Sequence, residues 1–137
     1  MKPSEVLDGA ANILLRDGWL QGAYYASPSL AGGDRSEEEY ERLRLVDLEA
    51  NRSAPCCQAG AISRAAYGYA WLVADAGPPT LGASEARSKA DFYMSQHLKR
   101  ALGVNSPICW NDDSGRTVDE VVAALRGAAE SARAAGE

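Results

Sequence analysis

The feature that most constrains this chain is its punctuation: stretches of helical hydrophobic period alternate with capping residues and with glycine and proline stops. Ser36 with Glu39, and Thr117 with Glu120, have the S/T-x-x-E spacing of capping boxes, in which the hydroxyl and the carboxylate each satisfy a free N–H of the first turn. A chain marked this way folds as a set of packed helices. Ser4 is placed to cap a first helix whose apolar positions are Val6, Leu7, Ala10, Ile13 and Leu14, with Gly18 as its stop and Trp19 folding back on it. The helix opened by Ser36 carries Tyr40, Leu43 and Val46 among charges, with Glu38 and Arg42 at i, i+4. It reads as a surface helix that ends near Asn51.

Pro55 suits the first turn of a third helix, expected over 55–76 and closed by Gly77-Pro78-Pro79. From Ala65 onward it is apolar on nearly every side, so it is expected at the centre, with Gly60 and Gly68 admitting a close neighbour. Ser84 is placed to cap a fourth helix with Glu85 and Lys89 paired and Ala86, Ala90, Tyr93, Met94, Leu98 and Ala101 inward, before Gly103. The last helix, opened by Thr117, turns Val118, Val121, Val122, Leu125 and Ala128 inward. The expectation is a mainly α domain over 1–137, with about five helices around 55–76. The aromatic connections Trp19–Tyr25 and Val104–Arg116 are free to pair as a small strand element. Residues 27–35 are expected as a loop and 132–137 as a frayed tail. Ile62, Ala66, Tyr69 and Val73 should face inward, packed by Leu14, Leu98 and Val122.

Composition narrows the function classes. At 137 residues, 46% hydrophobic and 24% charged, the chain can bury a core without a metal or disulfide staple. A net charge of −5, with no basic cluster beyond Lys99-Arg100, argues against nucleic acid. The apolar run Ala65–Ala74 is too short to span a bilayer, and the N-terminus lacks the features of a signal peptide. Three cysteines, two of them adjacent, imply no disulfide framework, so a cytoplasmic location is expected.

One constellation has the residue types for catalysis: Cys56 or Cys57, His97, and Asn111 or Asp112. A thiol in the first turn of a helix gains thiolate character from free N–H groups, a histidine takes its proton, and an Asn or Asp orients the histidine. Gln21 is the available oxyanion donor. Against this, free cysteine is usually buried, and His97 lies on the apolar face of its helix beside Tyr93, Met94 and Ala101. Adjacent cysteines suit zinc poorly, so no metal is expected, and no phosphate loop or H-E-x-x-H implies a cofactor. In Trp110-Asn111-Asp112-Asp113-Ser114-Gly115-Arg116-Thr117 the carboxylates beside an arginine have the makings of a polar site. The same residues also build Asx turns, a glycine turn and a cap, and the architectural account is the stronger.

Three strings, Gly18-Trp19-Leu20-Gln21-Gly22, Cys57-Gln58-Ala59-Gly60-Ala61-Ile62, and Trp110-Asn111-Asp112 followed by Gly115-Arg116-Thr117 and Glu120-Val121, give the chain a resemblance. It resembles an uncharacterised domain family of bacteria and bacteriophages, whose members read G-W-x-Q-G, W-C-x-x-G-A-[LI] and W-N-D-x-x-G-R-T-x-x-E-V. The match runs roughly from Val6 to Leu125. Cys56 stands where the family commonly has Trp, and Gly32–Ser53 looks like a local expansion. The resemblance implies a small single domain, with no activity attached. The leading expectation is a non-enzymatic cytoplasmic binding module, a bacteriophage accessory protein acting on a host protein through Trp19, Gln21, Trp110, Asn111, Asp112 and Arg116. The alternatives are a thiol-dependent hydrolase or transferase using Cys57 and His97, and a sensor of a small ligand held between the aromatic connections and the central helix.

Overall fold

The computed structural model of the chain describes residues 1–28, 35–72 and 77–137. Its elements are α1 (Pro3–Asp17), α2 (Glu37–Ser53), α3 (Gln58–Tyr67), α4 (Leu81–Leu102), α5 (Pro107–Asn111) and α6 (Val118–Ala134). Helix α1 packs against α3, α4 and α6, and α3 against α1, α4 and α5. The core is built from Leu7 and Leu14 of α1, Ile62 of α3, Met94 and Leu98 of α4, and Val121 and Leu125 of α6, all essentially inaccessible to solvent. Alanines at 10, 11, 90, 128, 129 and 132 fill the seams between helices, where small side chains bring the helix axes close. The expected inward residues Ile62, Leu14 and Leu98 are buried, and Ala66 and Val122 pack at the core edge. Val73 lies outside the described residues, as does most of the loop expected at 27–35.

The third helix is much shorter than 55–76. It starts after Cys57 and stops at Gly68, whose φ of +87° is the left-handed conformation that ends a helix and that glycine alone adopts without strain. Gly68 is thus a cap, with no neighbour close to it. The chain beyond is captured by Asn51, fully buried at the end of α2. Its side-chain oxygen accepts from Trp71 N (2.8 Å), its nitrogen donates to Trp71 O (2.7 Å), and its main-chain carbonyl accepts from Ala70 N (2.9 Å). These bonds replace the helical ones that 68–72 gives up, and they leave Trp71 and Leu72 partly exposed. Tyr69 falls beyond the helix and stacks under the guanidinium of Arg52 at 4.9 Å.

Two helix starts also lie elsewhere than expected. Pro3 takes the first helical position of α1, so Lys2 is the cap residue, its N–H donating to Glu5 Oε2 (2.7 Å), and Ser4 is buried in the first turn. Thr80 caps α4 through its bond from Ala83 N (3.2 Å), one turn ahead of Ser84. Thr117 caps with the full reciprocal box, and Ser36 caps through its hydroxyl alone, which accepts from Glu39 N (3.2 Å). The C-terminal residues are held where fraying was expected: α6 runs to Ala134 with Ala132 buried, and the Glu137 carboxylate accepts from Lys89 Nζ and Tyr93 Oη of α4.

Gly60 shows how tightly α3 is seated. A Cβ there would stand 2.2 Å from the carbonyl oxygen of Tyr24, a main-chain atom that cannot swing aside. Alanine is the better helix former by up to about 1 kcal/mol. Overpacking against backbone costs about 1–3 kcal/mol. Gly60→Ala should therefore lower stability in a urea titration, and an unchanged or higher midpoint would show that Tyr24 does not sit on α3.

Candidate functional site

The site is the junction where the three motif segments meet. After Gly18, the chain from Trp19 to Ala26 wraps around residues 54–57. Leu20 N donates to Cys56 O (3.2 Å), Cys56 N to Gly18 O (3.3 Å), Cys57 N to Tyr24 O (3.1 Å) and Ala26 N to Pro55 O (2.8 Å). Cys56 thereby gains a bridge neighbour on each side, Trp19 parallel and Tyr25 antiparallel. The first aromatic connection pairs with this segment, whereas the second forms α5 and meets the first through side chains. The expected strand pairing between the two connections is absent among the described residues, because α5 uses its main chain internally.

Helix α5 places Asn111, 1% exposed, in the middle of the junction. Its Oδ1 accepts from Trp19 Nε1 (2.7 Å) and from Gln58 N (3.0 Å), and its Nδ2 donates to Leu20 O (3.3 Å) and Asp112 Oδ1 (2.9 Å). Around it, Gln21 Nε2 donates to Asn111 O (2.9 Å) and Asp113 O (2.8 Å), and Gly22 N donates to Asp112 Oδ1 (3.0 Å). Trp110 is buried, and the Arg116 guanidinium covers its ring at 4.3 Å. Arg116 Nε donates to Trp110 O (3.0 Å), and its terminal nitrogens pair with Asp113 (3.2 Å) and Glu120 (2.8 Å). Glu120 in turn closes the capping box with Thr117. Trp19, Gln21, Trp110, Asn111, Asp112 and Arg116 thus come together, each bonded chiefly to another motif residue. Sequence reasoning gave no role to Gly22, Tyr24 and Gln58, which contribute main-chain groups that no side-chain pattern announces.

The catalytic set is not assembled in the same way. Cys57 caps α3, its Sγ accepting from Gly60 N (3.3 Å). Burial pushes its thiol above the ordinary value, against the pull of the Gly60 and Ala59 amides. Cys56 is fully buried, and burial pushes its thiol up to about 11 despite Arg64. Arg64, itself buried, is engaged by Asp17 and by Ala54 O (3.0 Å). His97 packs its ring on Gly127 of α6, where an added Cβ would stand 2.4 Å from its Cε1. Cys109 is exposed on α5. Gln21 has its amide donors committed to two carbonyls.

What the junction leaves open is a cleft of about 140 Å³, lined by Gly22, Ala23, Tyr24, Cys57, Ile108 and Asp112, with Asn111 at its base. Its walls are mostly apolar, and His97 is not among them. Tyr24, on the cleft wall, meets the ring of Trp71 at 4.5 Å.

Fold and site together define a small α-helical domain whose three motifs interlock around one buried asparagine. The chain belongs to a family of unknown function, DUF6197, whose model matches residues 1–131. No curated protein and no solved structure matches it.

Thiol reactivity checks this description. At neutral pH iodoacetamide should label Cys109 of the native protein, with Cys56 and Cys57 reacting only on unfolding. The rate at Cys57 should still be rising past the ordinary thiol value of about 8.5. Fast native labelling of Cys57 that levels off below that value would mark it as an activated nucleophile.

Proposed function

We propose that the protein is a small cytoplasmic binding module that receives one side chain of a protein partner in the Cys57–Ile108 cleft. The observation that carries this reading is the cleft's size and lining. An engineered cavity of about 150 Å³ accommodates benzene, so about 140 Å³ between Tyr24 and Ile108 suits one aromatic or branched aliphatic side chain. Ordinary small-molecule pockets run to about 300–1,000 Å³. Ile108 is half exposed at the rim, and Asp112, which also lines the cleft, is exposed. With a net charge of −5 on the whole chain, the complementary partner surface carries basic residues around the inserted side chain. A bacteriophage accessory protein acting on a host protein is the setting that the motif resemblance favours. The thiol-dependent alternative has against it a protonated, cap-bonded Cys57 and a His97 occupied with α6.

Ile108→Glu and Ala23→Trp test this reading together. One charges the rim and the other fills the cleft, and both positions are accessible enough to leave the melting temperature within a few degrees of wild type. A photo-crosslinking residue at the exposed position 109, beside Ile108, should trap one partner in the otherwise unaltered chain and lose it in both variants. A partner trapped equally by all three proteins would place the binding surface elsewhere.

A further inference from the structure

Asp112 differs from the carboxylates around it. Asp113 and Glu120 pair with Arg116, and Asp17 pairs with Arg64. Asp112 forms no ion pair among the described residues. Its Oδ1 accepts from two neutral donors, Gly22 N (3.0 Å) and Asn111 Nδ2 (2.9 Å), and its Oδ2 accepts from none of the described residues. Both donors belong to residues that line the Cys57 cleft, as Asp112 itself does, so the carboxylate stands at the cleft wall. Burial is the main cause of the raised Cys57 thiol, and the Asp112 charge adds to it, which puts that charge within electrostatic reach of the opposite wall. Two bonds to one oxygen fix the carboxylate in place before any ligand arrives. A fixed negative charge beside an apolar cleft is complementary to a cation carried on an apolar group. At about 140 Å³ the cleft holds one side chain, so the cation has to belong to the same residue. Lysine ends a thin four-carbon stem and cannot fill the space with a ring or a branched group. In the first residue of a polypeptide, the α-ammonium sits on the very Cα from which a bulky side chain branches, and it is largely protonated at neutral pH.

We propose that the Cys57 cleft receives the N-terminal residue of a polypeptide partner, with an aromatic or branched aliphatic side chain against Tyr24 and Ile108 and the α-ammonium donating to Asp112 Oδ2. This rests on the binding reading above and names the part of the partner that enters. Capture of an N-terminal amine is an established mode of peptide recognition, and a charged hydrogen bond at the end of an apolar contact gives it direction. An internal residue offers Asp112 only a neutral peptide N–H, and an anionic ligand is repelled.

Amide-resolved NMR titration of the whole chain tests the assignment, with Phe-Ala-Ala-amide as probe and its N-acetylated form, which lacks the charge, as the counterpart. The free peptide should shift the Gly22, Ala23 and Cys57 resonances saturably. Acetylation should weaken binding by about tenfold, the scale of one hydrogen bond to a charged group. Asp112→Asn keeps an oxygen for Gly22 N and removes the charge, so it should bring the free peptide down to the affinity of the acetylated one and leave the latter unchanged. The comparison of the two peptides on the unaltered chain keeps the test open if that variant unfolds. Equal binding of the two peptides, abolished in Ala23→Trp, would overturn the ammonium assignment and leave the cleft as a receptor for an internal side chain. Tighter binding of acetyl-Ala-Lys-Ala-amide or of phenethylamine, or no saturable shift with any probe, would also overturn it. The crosslinking result with Ile108→Glu and Ala23→Trp decides the cleft reading separately.

Discussion

The Asn111 carboxamide joins the three motif segments, and the rest of the junction is arranged around it. An amide side chain has two acceptor and two donor directions, and all four are used here: by Trp19 Nε1, Gln58 N, Leu20 O and Asp112 Oδ1. The partners also fix which way the amide faces, because an indole N–H only donates and a main-chain carbonyl only accepts. Aspartate, with acceptors alone, would set a carboxylate against Leu20 O and Asp112. Leucine would leave Trp19 Nε1 and Gln58 N buried without acceptors, each at about 1–3 kcal/mol. An asparagine at this point is therefore a structural requirement of the fold.

That arrangement commits many of the chemically suggestive residues to bonds within the junction. The first turn of α3 has main-chain N–H groups with no helical acceptor, and the junction supplies them: Asn111 takes Gln58 N and the Cys57 sulfur takes Gly60 N. Gln21 and Asp112 are engaged in holding the loop 110–116 to the segment after α1, and Arg116 braces the loop itself through Trp110 O. The apolar cleft beside Cys57 is among the concavities that remain accessible.

Local signals were legible in the sequence and tertiary ones were not. The caps at Ser36 and Thr117 depend only on residues within one turn, and they stand where expected. So do the inward positions Leu14, Ile62 and Leu98, which follow helical period. Ser4 and Ser84 misled because Pro3 and Thr80 start their helices earlier. The apolar stretch after Ala65 has the composition of a buried helix, and no local pattern shows that Gly68 will turn left-handed or that Asn51 will hold 70–71 from another helix. The motif residues were found as strings, but their roles lie in bonds spanning 53 to 92 positions, such as Gln58 to Asn111 and Trp19 to Asn111. Gln58 and Tyr24 act at the junction through main-chain atoms, which leave no trace in residue type.

The account stands on the coupling between Trp19 and Asn111 across that separation. A double-mutant cycle of Trp19→Phe and Asn111→Ala, read by urea unfolding, measures it directly. Phenylalanine keeps an aromatic ring but loses the indole N–H together with the five-membered ring, and the cycle cancels the part of that loss that does not involve Asn111. If Asn111 is the hub, the two changes are strongly non-additive, with a coupling energy of about 0.5–3 kcal/mol. Effects that sum to within about 0.3–0.5 kcal/mol would contradict the claim that the motifs interlock through this side chain.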